Sequence, residues 1–196
     1  MLKCTATSKE ADSMILKNKQ DNYDTKFYMG SYHAYWKWEF GEKVRNSRFD
    51  DFSSTILDFK KGYAQTIEHF RKSVAKVIAS GFPVCVVPSH MASSDNSASP
   101  TARLAKGLVE SNNLIDATNC ILRVRSIQKL SKGGDRGLEV HLNSVKVVNS
   151  EVIKGKTVLL LDDVMTTGNS LSACRQLLLD AGAENVLCLA LAQTVR

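Results

Sequence analysis

The sequence predicts an α/β domain built on a parallel sheet, and three observations carry that prediction. From residue 83 onward, short apolar runs alternate with stretches of helical periodicity, in the order strand, helix, strand, helix, strand. The runs "PVCVVP", "KTVLLLDD" and "NVLCLALAQ" are apolar on both faces, as strands covered from two sides must be. Hydrophobic residues make up 43% of the 196 positions and charged ones 23%, enough for one domain of ordinary size with a proper core and no need of disulfides or metal.

Several classes are set aside by composition. The longest wholly apolar stretch, "VLCLALA" at 186–192, is far shorter than the roughly 20 residues that span a bilayer. Lys3 is followed by no apolar segment of the secretory kind, so a cytoplasmic location is expected. Cys4, Cys85, Cys120, Cys174 and Cys188 are scattered and form no C-x-x-C pair, which fits reduced thiols; Cys85 and Cys188, inside apolar runs, read as core filler.

Residues 1–22 are polar and without sustained periodicity, a leader expected to be loosely attached. Residues 23–63 hold twelve of the fourteen aromatic residues and form an aromatic-rich hood or accessory region, with "YHAYWKWEF" at 32–40 reading as a strand or hairpin. Residues 64–196 form the core. Ile67, Phe70, Val74, Val77 and Ile78 recur at spacings of three and four, predicting a helix capped by Gly81 and stopped by Pro83. "PVCVVP" at 83–88 is a strand that opens into a polar loop. Ser99 is the N-cap and Pro100 the first residue of the next helix, which ends near Asn112 and Asn113. "CILRVR" and "SVKVVN" are strand-like and flank a basic stretch with Gly133-Gly134, read as a mobile loop. The strand "KTVLLLDD", a helix over about 169–181 capped by Gly182, and the strand "NVLCLALAQ" complete the chain.

The chemistry concentrates in 159–170, "LLLDDVMTTGNS". Ligands of open α/β sheets sit beyond the carboxyl ends of strands, and the pair Asp162-Asp163 falls where this strand is expected to end. The residues after it, Thr166, Thr167, Gly168, Asn169 and Ser170, enter a helix, so peptide N–H groups, hydroxyls and the helix dipole converge in a cradle for a phosphate. Acids beside a phosphate cradle make sense when neutral hydroxyls lie between them. A ribose 5-phosphate supplies those hydroxyls, each donating to one carboxylate.

"VLLLDDVMTTGNS" at 158–170 resembles the phosphoribosyl pyrophosphate signature of type I phosphoribosyltransferases over all thirteen positions. The resemblance implies a Rossmann-like parallel-sheet core and transfer of phosphoribosyl from 5-phosphoribosyl 1-pyrophosphate to a nitrogen acceptor, with release of pyrophosphate. It also implies Mg²⁺ held through substrate hydroxyls, diphosphate and water rather than by direct protein ligands. Asp162, Asp163, Lys132 and Arg136 would be the catalytic residues. Lys129 and the loop Ser89, His90 and Met91 would join the cradle in holding the diphosphate. His33, His69 and His141 read as structural or exposed. The apolar run ending in two acids also resembles a Walker B strand, but no G-x-x-x-x-G-K-[ST] precedes it, and no G-x-G-x-x-G follows a strand.

Family members acting on 6-oxopurines carry an acid where Thr166 stands here. "DVMTTG" is more similar to orotate phosphoribosyltransferases and to the competence-associated ComF-like branch, whose Arg, Gln, Leu, Arg, Asn pattern is matched by Arg123, Gln128, Leu130, Arg136 and Asn143. The Arg-Gly-Phe-Asn segment and the four-cysteine zinc module found in many ComF proteins are missing. A non-catalytic reading remains beside the enzymatic one: a protein that senses phosphoribosyl pyrophosphate or takes part in DNA uptake. The net charge of +6 leaves nucleic acid open as a partner, without a motif for it. A nucleobase or amine is the expected acceptor, no membrane is involved, and a homodimer is an open alternative.

Overall fold

Nine residues of uninterrupted strand, Thr157–Met165, form the axis of the molecule in the computed structural model, which describes residues 3–4, 26–128 and 137–195. In chain order the elements are β1 (Lys3–Cys4), β2 (Lys26–Tyr32), β3 (Trp36–Glu39), β4 (Glu42–Arg45), α1 (Asp51–Lys60), α2 (Ala64–Ala75), β5 (Pro83–Val86), α3 (Pro100–Asn112), β6 (Ile115–Asp116), β7 (Ile121–Arg123), α4 (Leu138–Leu142), β8 (Val145–Val147), a 3₁₀ turn (Ser150–Val152), β9 (Thr157–Met165), α5 (Asn169–Asp180) and β10 (Asn185–Thr194). Sheet order is β1-β2-β10-β9-β5-β6. β2, β10, β9, β5 and β6 run parallel, and β1 pairs antiparallel with β2 at the edge. The predicted α/β class with a parallel sheet is therefore what the chain forms.

Alternation along β9 builds two cores. Leu159 and Leu161 face one side and pack with Ile56, Phe59, Phe70, Val74, Leu104 and Leu108 of α1, α2 and α3. Val158 and Leu160 face the other side, with Leu171, Cys174 and Leu178 of α5 and with Ile121 and Val145 of the β7-β8 pair. Both faces are covered, which is why β5, β9 and β10 read as continuous apolar runs. Cys85, Cys120, Cys174 and Cys188 are buried free thiols, as expected of Cys85 and Cys188 from their apolar flanks. No described helix is long and apolar enough to cross a membrane.

Helix starts follow their chemistry. Asp50 accepts from the Ser53 N–H at 2.8 Å ahead of α1, and Ser99 accepts from the Ala102 N–H at 3.0 Å with Pro100 as the first helical residue of α3. Asn113, at φ +51°, closes α3. Helix α2 stops at Ala75, so Gly81 does not cap it; the Gly81 N–H donates to Asn113 O at 3.0 Å and φ +86° turns the chain into β5. "CILRVR" and "SVKVVN" do form strands, but β7 and β8 pair with each other rather than joining the central sheet, whose edge beside β5 is taken by the two-residue β6.

Residues 26–32 of the aromatic-rich segment are β2, hydrogen-bonded along β10 from Lys26↔Cys188 to Tyr32↔Thr194. The following hairpin, β3-β4, forms a separate two-stranded sheet. It leaves the central sheet from the same end as the carboxyl ends of β9 and β10, because parallel β2 ends there at Tyr32, whose carbonyl accepts from the Val195 N–H at 3.0 Å.

Candidate functional site

The carboxyl ends of β5 and β9 are neighbours on one rim of the sheet, since Val86 pairs with Leu161 and the Val87 N–H extends the ladder to Leu161 O at 2.9 Å. The loop Ser89, His90, Met91 leaves one strand there, and 166–170 leaves the other. At the adjoining end of β10, Thr194 Oγ1 lies 3.0 Å from Thr166 Oγ1.

β9 does not end at the acid pair. Its pairing with β10 continues to Met165↔Gln193, so Asp162 and Asp163 stand inside the strand, and strand alternation sends their side chains to opposite faces. This replaces the expectation of two carboxylates side by side at a strand end. Asp163 emerges on the face of α1, where its Oδ2 lies 3.1 Å from Lys60 Nζ, with side-chain exposures of 32% and 39%. Tyr32 belongs to the same group: burial raises its pKa, Lys60 lowers it and Asp163 raises it. Asp162 emerges on the face of α5, near Cys174, whose thiol is pushed up by burial and then by the Asp162 charge. Burial, and then repulsion from Asp163, push Asp162 up to about 8 against a partial offset from the Asp163 N–H, which donates to its Oδ1 at 2.8 Å. Burial and the neighbouring carboxylate thus favour the neutral form of Asp162, whereas two ionised acceptors were expected.

The cradle is formed by the turn at Gly168, with φ +79° as the N-cap of the twelve-residue α5. A Cβ at Gly168 would stand 3.0 Å from Lys26 Cδ and 3.3 Å from Met165 Sδ, so the position is closed to other side chains by conformation and by contact. Among the described residues, the peptide N–H groups of Thr167, Gly168 and Ser170 have no protein acceptor. Outward-pointing N–H groups at a helix N-terminus, beside exposed Thr166 and Thr167, are what anion binding requires. Asn169 begins the helix and takes part in an interaction of its own.

In the β5 loop the Met91 N–H donates to Ser89 Oγ at 3.3 Å, so of the three expected donors this one is already engaged. His90 is partly buried, and its carbonyl accepts from the Ile127 N–H at 2.9 Å. Lys129, Leu130, Lys132 and Arg136, the cations and leucine of the basic stretch, lie outside the described residues, as does most of the leader 1–22. Arg123, read as part of a basic run, is 2% exposed and contacts Ser89 O, Ser144 Oγ and His141. His141 is likewise 2% exposed and reaches Ser170 Oγ with Nε2 at 3.3 Å.

Sequence reasoning missed Lys60, Lys26 and the Arg123-His141 link. Helix α1 carries Lys60 in "FSSTILDFKKG", and the Asp50-x-x-Ser53 cap was its one readable signal. His141 belongs to a five-residue helix too short for periodicity to mark. A cleft of about 530 Å³ between α2 and α3, lined by Glu68, Arg71, Arg103 and Glu110 among others, includes none of these site residues.

Fold and rim together define a doubly wound α/β protein with a strand-to-helix turn of outward peptide N–H groups at the carboxyl end of its central strand. The chain belongs to the phosphoribosyl transferase domain family, whose pattern matches residues 96–194, from the loop before α3 to the end of β10. It is similar to an adenine phosphoribosyltransferase of Treponema denticola, 47% identical over 49 residues, which are 25% of this chain and 26% of that protein. The chain thus spans about a quarter of the length of that relative.

Proposed function

We propose that the protein is a phosphoribosyltransferase that binds 5-phosphoribosyl 1-pyrophosphate and transfers its phosphoribosyl group to a nitrogen acceptor. The observation that carries this reading is the cradle: N–H groups of Thr167, Gly168 and Ser170 at the start of α5 that have no acceptor among the described residues, with the two acids of β9 on the same rim. The 5-phosphate takes the cradle, and a ribose hydroxyl donates to Asp163, the acid on the α1 face of β9.

In the reaction the bond from C1 to the pyrophosphate oxygen breaks and pyrophosphate leaves with the electron pair. The acceptor nitrogen supplies its lone pair to C1, and its proton passes to solvent. Positive charge accumulates on the ring as the bond breaks, and the Asp163 carboxylate stabilises it. Lys129, Lys132 and Arg136 are the cations assigned to the leaving pyrophosphate, with the loop at Ser89 and His90 beneath it.

Mg²⁺ would neutralise the diphosphate. Asp163, about a third exposed, is a hard oxygen donor suited to such a cation or its waters, and substrate oxygens would supply the rest.

A nucleobase is the preferred acceptor class, with adenine the first to test given the similarity to the Treponema denticola protein. The β3-β4 hairpin would act as the hood: Trp36 is 51%, Trp38 76% and Phe40 fully exposed, at the end of the sheet that carries the site. The same hairpin favours a second reading, a ComF-like binding protein, because Trp36↔Arg45 and Trp38↔Lys43 interleave aromatic rings and cations on one face as single-stranded nucleic acid requires. Pyrophosphate release with phosphoribosyl pyrophosphate and Mg²⁺, measured over a panel of nucleobases and amines, decides. Release with one acceptor is the expected result; tight binding without release for any of them would favour the second reading.

A further inference from the structure

We propose that His141, oriented by the buried Arg123, is a positioning residue that turns the hydroxyl of Ser170 outward as a donor to the bound phosphate, an inference that rests on the cradle reading above. The argument is one of proton inventory. Arg123 Nε donates to Ser89 O and Nη1 to Ser144 Oγ at 2.5 Å, and Nη2 lies 3.5 Å from His141 Nδ1. A guanidinium has donors only, so a proton on Nδ1 would face another proton; Nδ1 presents its lone pair. In a neutral imidazole the proton then sits on Nε2.

Nε2 lies 3.3 Å from Ser170 Oγ. With Nε2–H donating, the serine oxygen is the acceptor, and its single hydroxyl proton must point elsewhere. Ser170 is the second residue of α5, and among the described residues the peptide N–H groups of Thr167 and Gly168 just before it also lack protein acceptors. The imidazole thus converts an ambivalent hydroxyl into a committed donor on the side where the anion sits. Without it, Ser170 could spend that proton within the protein.

The relay is rigid because it is buried. Arg123 and His141 are each 2% exposed and Ser144 is 3% exposed; Ser144 Oγ in turn donates to Val140 O at 2.6 Å, fixing α4. Among the described residues the hydrogen-bond partners of Arg123 are a carbonyl, a hydroxyl and an imidazole, none of which carries a negative charge, so its positive field adds to that of the helix terminus. Through Ser89 O the same cation also anchors the loop after β5.

Titration calorimetry of the full chain with ribose 5-phosphate tests this, using S170A, H141Q, H141N and the double variant S170A/H141N. Gln can donate from the Nε2 position and should retain affinity within about twofold. Asn keeps an acceptor for Arg123 but cannot reach Ser170, and should weaken binding about tenfold, as loss of one charge-assisted hydrogen bond does. H141N should add nothing in the S170A background. Equal losses from H141N in both backgrounds, equal losses from H141Q and H141N, or no loss from H141N would overturn the relay alone. Unchanged binding by S170A would likewise overturn the relay alone, because the peptide N–H groups remain; failure of the wild type to bind would overturn the cradle and the relay with it.

Discussion

Asp162 and Asp163 are adjacent in sequence yet leave β9 on opposite faces of the sheet, one toward Cys174 of α5 and the other into an ion pair with Lys60 of α1. Their environments separate their chemistry. Asp163 has a cation at 3.1 Å and is about a third exposed, whereas Asp162 is raised by desolvation and by its neighbour's charge. Two acids that look equivalent in "LLLDDV" therefore stand in different surroundings, and those of Asp162 raise its pKa.

That difference predicts a pH dependence of stability. The pKa of Asp162 is about 8 in the folded chain against an ordinary value of 3.8, so between those values the folded state holds a proton that the unfolded state has released. Its contribution is fully present below about pH 4 and is lost as pH rises toward 8, with a slope of about 1.4 kcal/mol per pH unit at most. Urea unfolding of wild type and Asp162→Asn from pH 4 to 8 measures it. The variant should remove that part of the slope; superimposable profiles would refute a raised pKa.

For the Lys60-Asp163 pair the expectation is small in stability and larger in binding. Both side chains are about a third exposed, so Lys60→Met should change unfolding free energy by no more than about 1 kcal/mol. Asp163 then loses the cation that offsets its repulsion of an anionic ligand, and ribose 5-phosphate should bind more weakly in calorimetry. A stability loss above about 3 kcal/mol would show instead that the pair is a structural one.

The sheet was legible in the sequence because β5, β9 and β10 are covered on both faces and must be apolar throughout. The strand-to-helix turn at 166–170 was legible because Thr, Gly and Ser directly after an apolar run are a local feature. What escaped was non-local or short. Pairing with β10 carries β9 three residues beyond Asp162, and nothing near Asp162 in the sequence announces that partner. Arg123 sits in a run of cations that reads as a solvated face, and only the fold buries it against His141 and Ser89. Lys60 lies 103 positions from Asp163 and reaches it because α1 packs on that face of the sheet.

Gly168 allows conformational strain to be separated from function. Gly168→Ala must adopt φ +79° and crowd Lys26 and Met165, which should cost about 1–2 kcal/mol in unfolding and weaken ribose 5-phosphate binding by displacing the cradle. Gly155, at φ +65° ahead of β9 with nothing within 4 Å of an added Cβ, is the control. Gly155→Ala should lose comparable stability with affinity unchanged. If both variants bind as the wild type does, the turn at Gly168 has no part in holding the anion.

The hairpin predicts a division between stability and acceptor use. Trp38 is 76% exposed and opposite Lys43 on a two-stranded sheet outside the main core, so Trp38→Ala should alter unfolding free energy by no more than about 0.5 kcal/mol. If the hairpin covers a nucleobase, the same change should raise the KM for that base while leaving affinity for ribose 5-phosphate intact, because the cradle is built by β9 and α5. Steady-state kinetics with the acceptor found in the pyrophosphate assay, alongside calorimetry with the sugar phosphate, gives both quantities. An unchanged acceptor KM would remove the hairpin from the acceptor site, and a loss of sugar-phosphate affinity would mean that it touches the cradle instead. Glu39 and Glu42 share the opposite face with Lys37 and Val44, so Lys37→Ala serves as the matched substitution and should leave both constants unchanged.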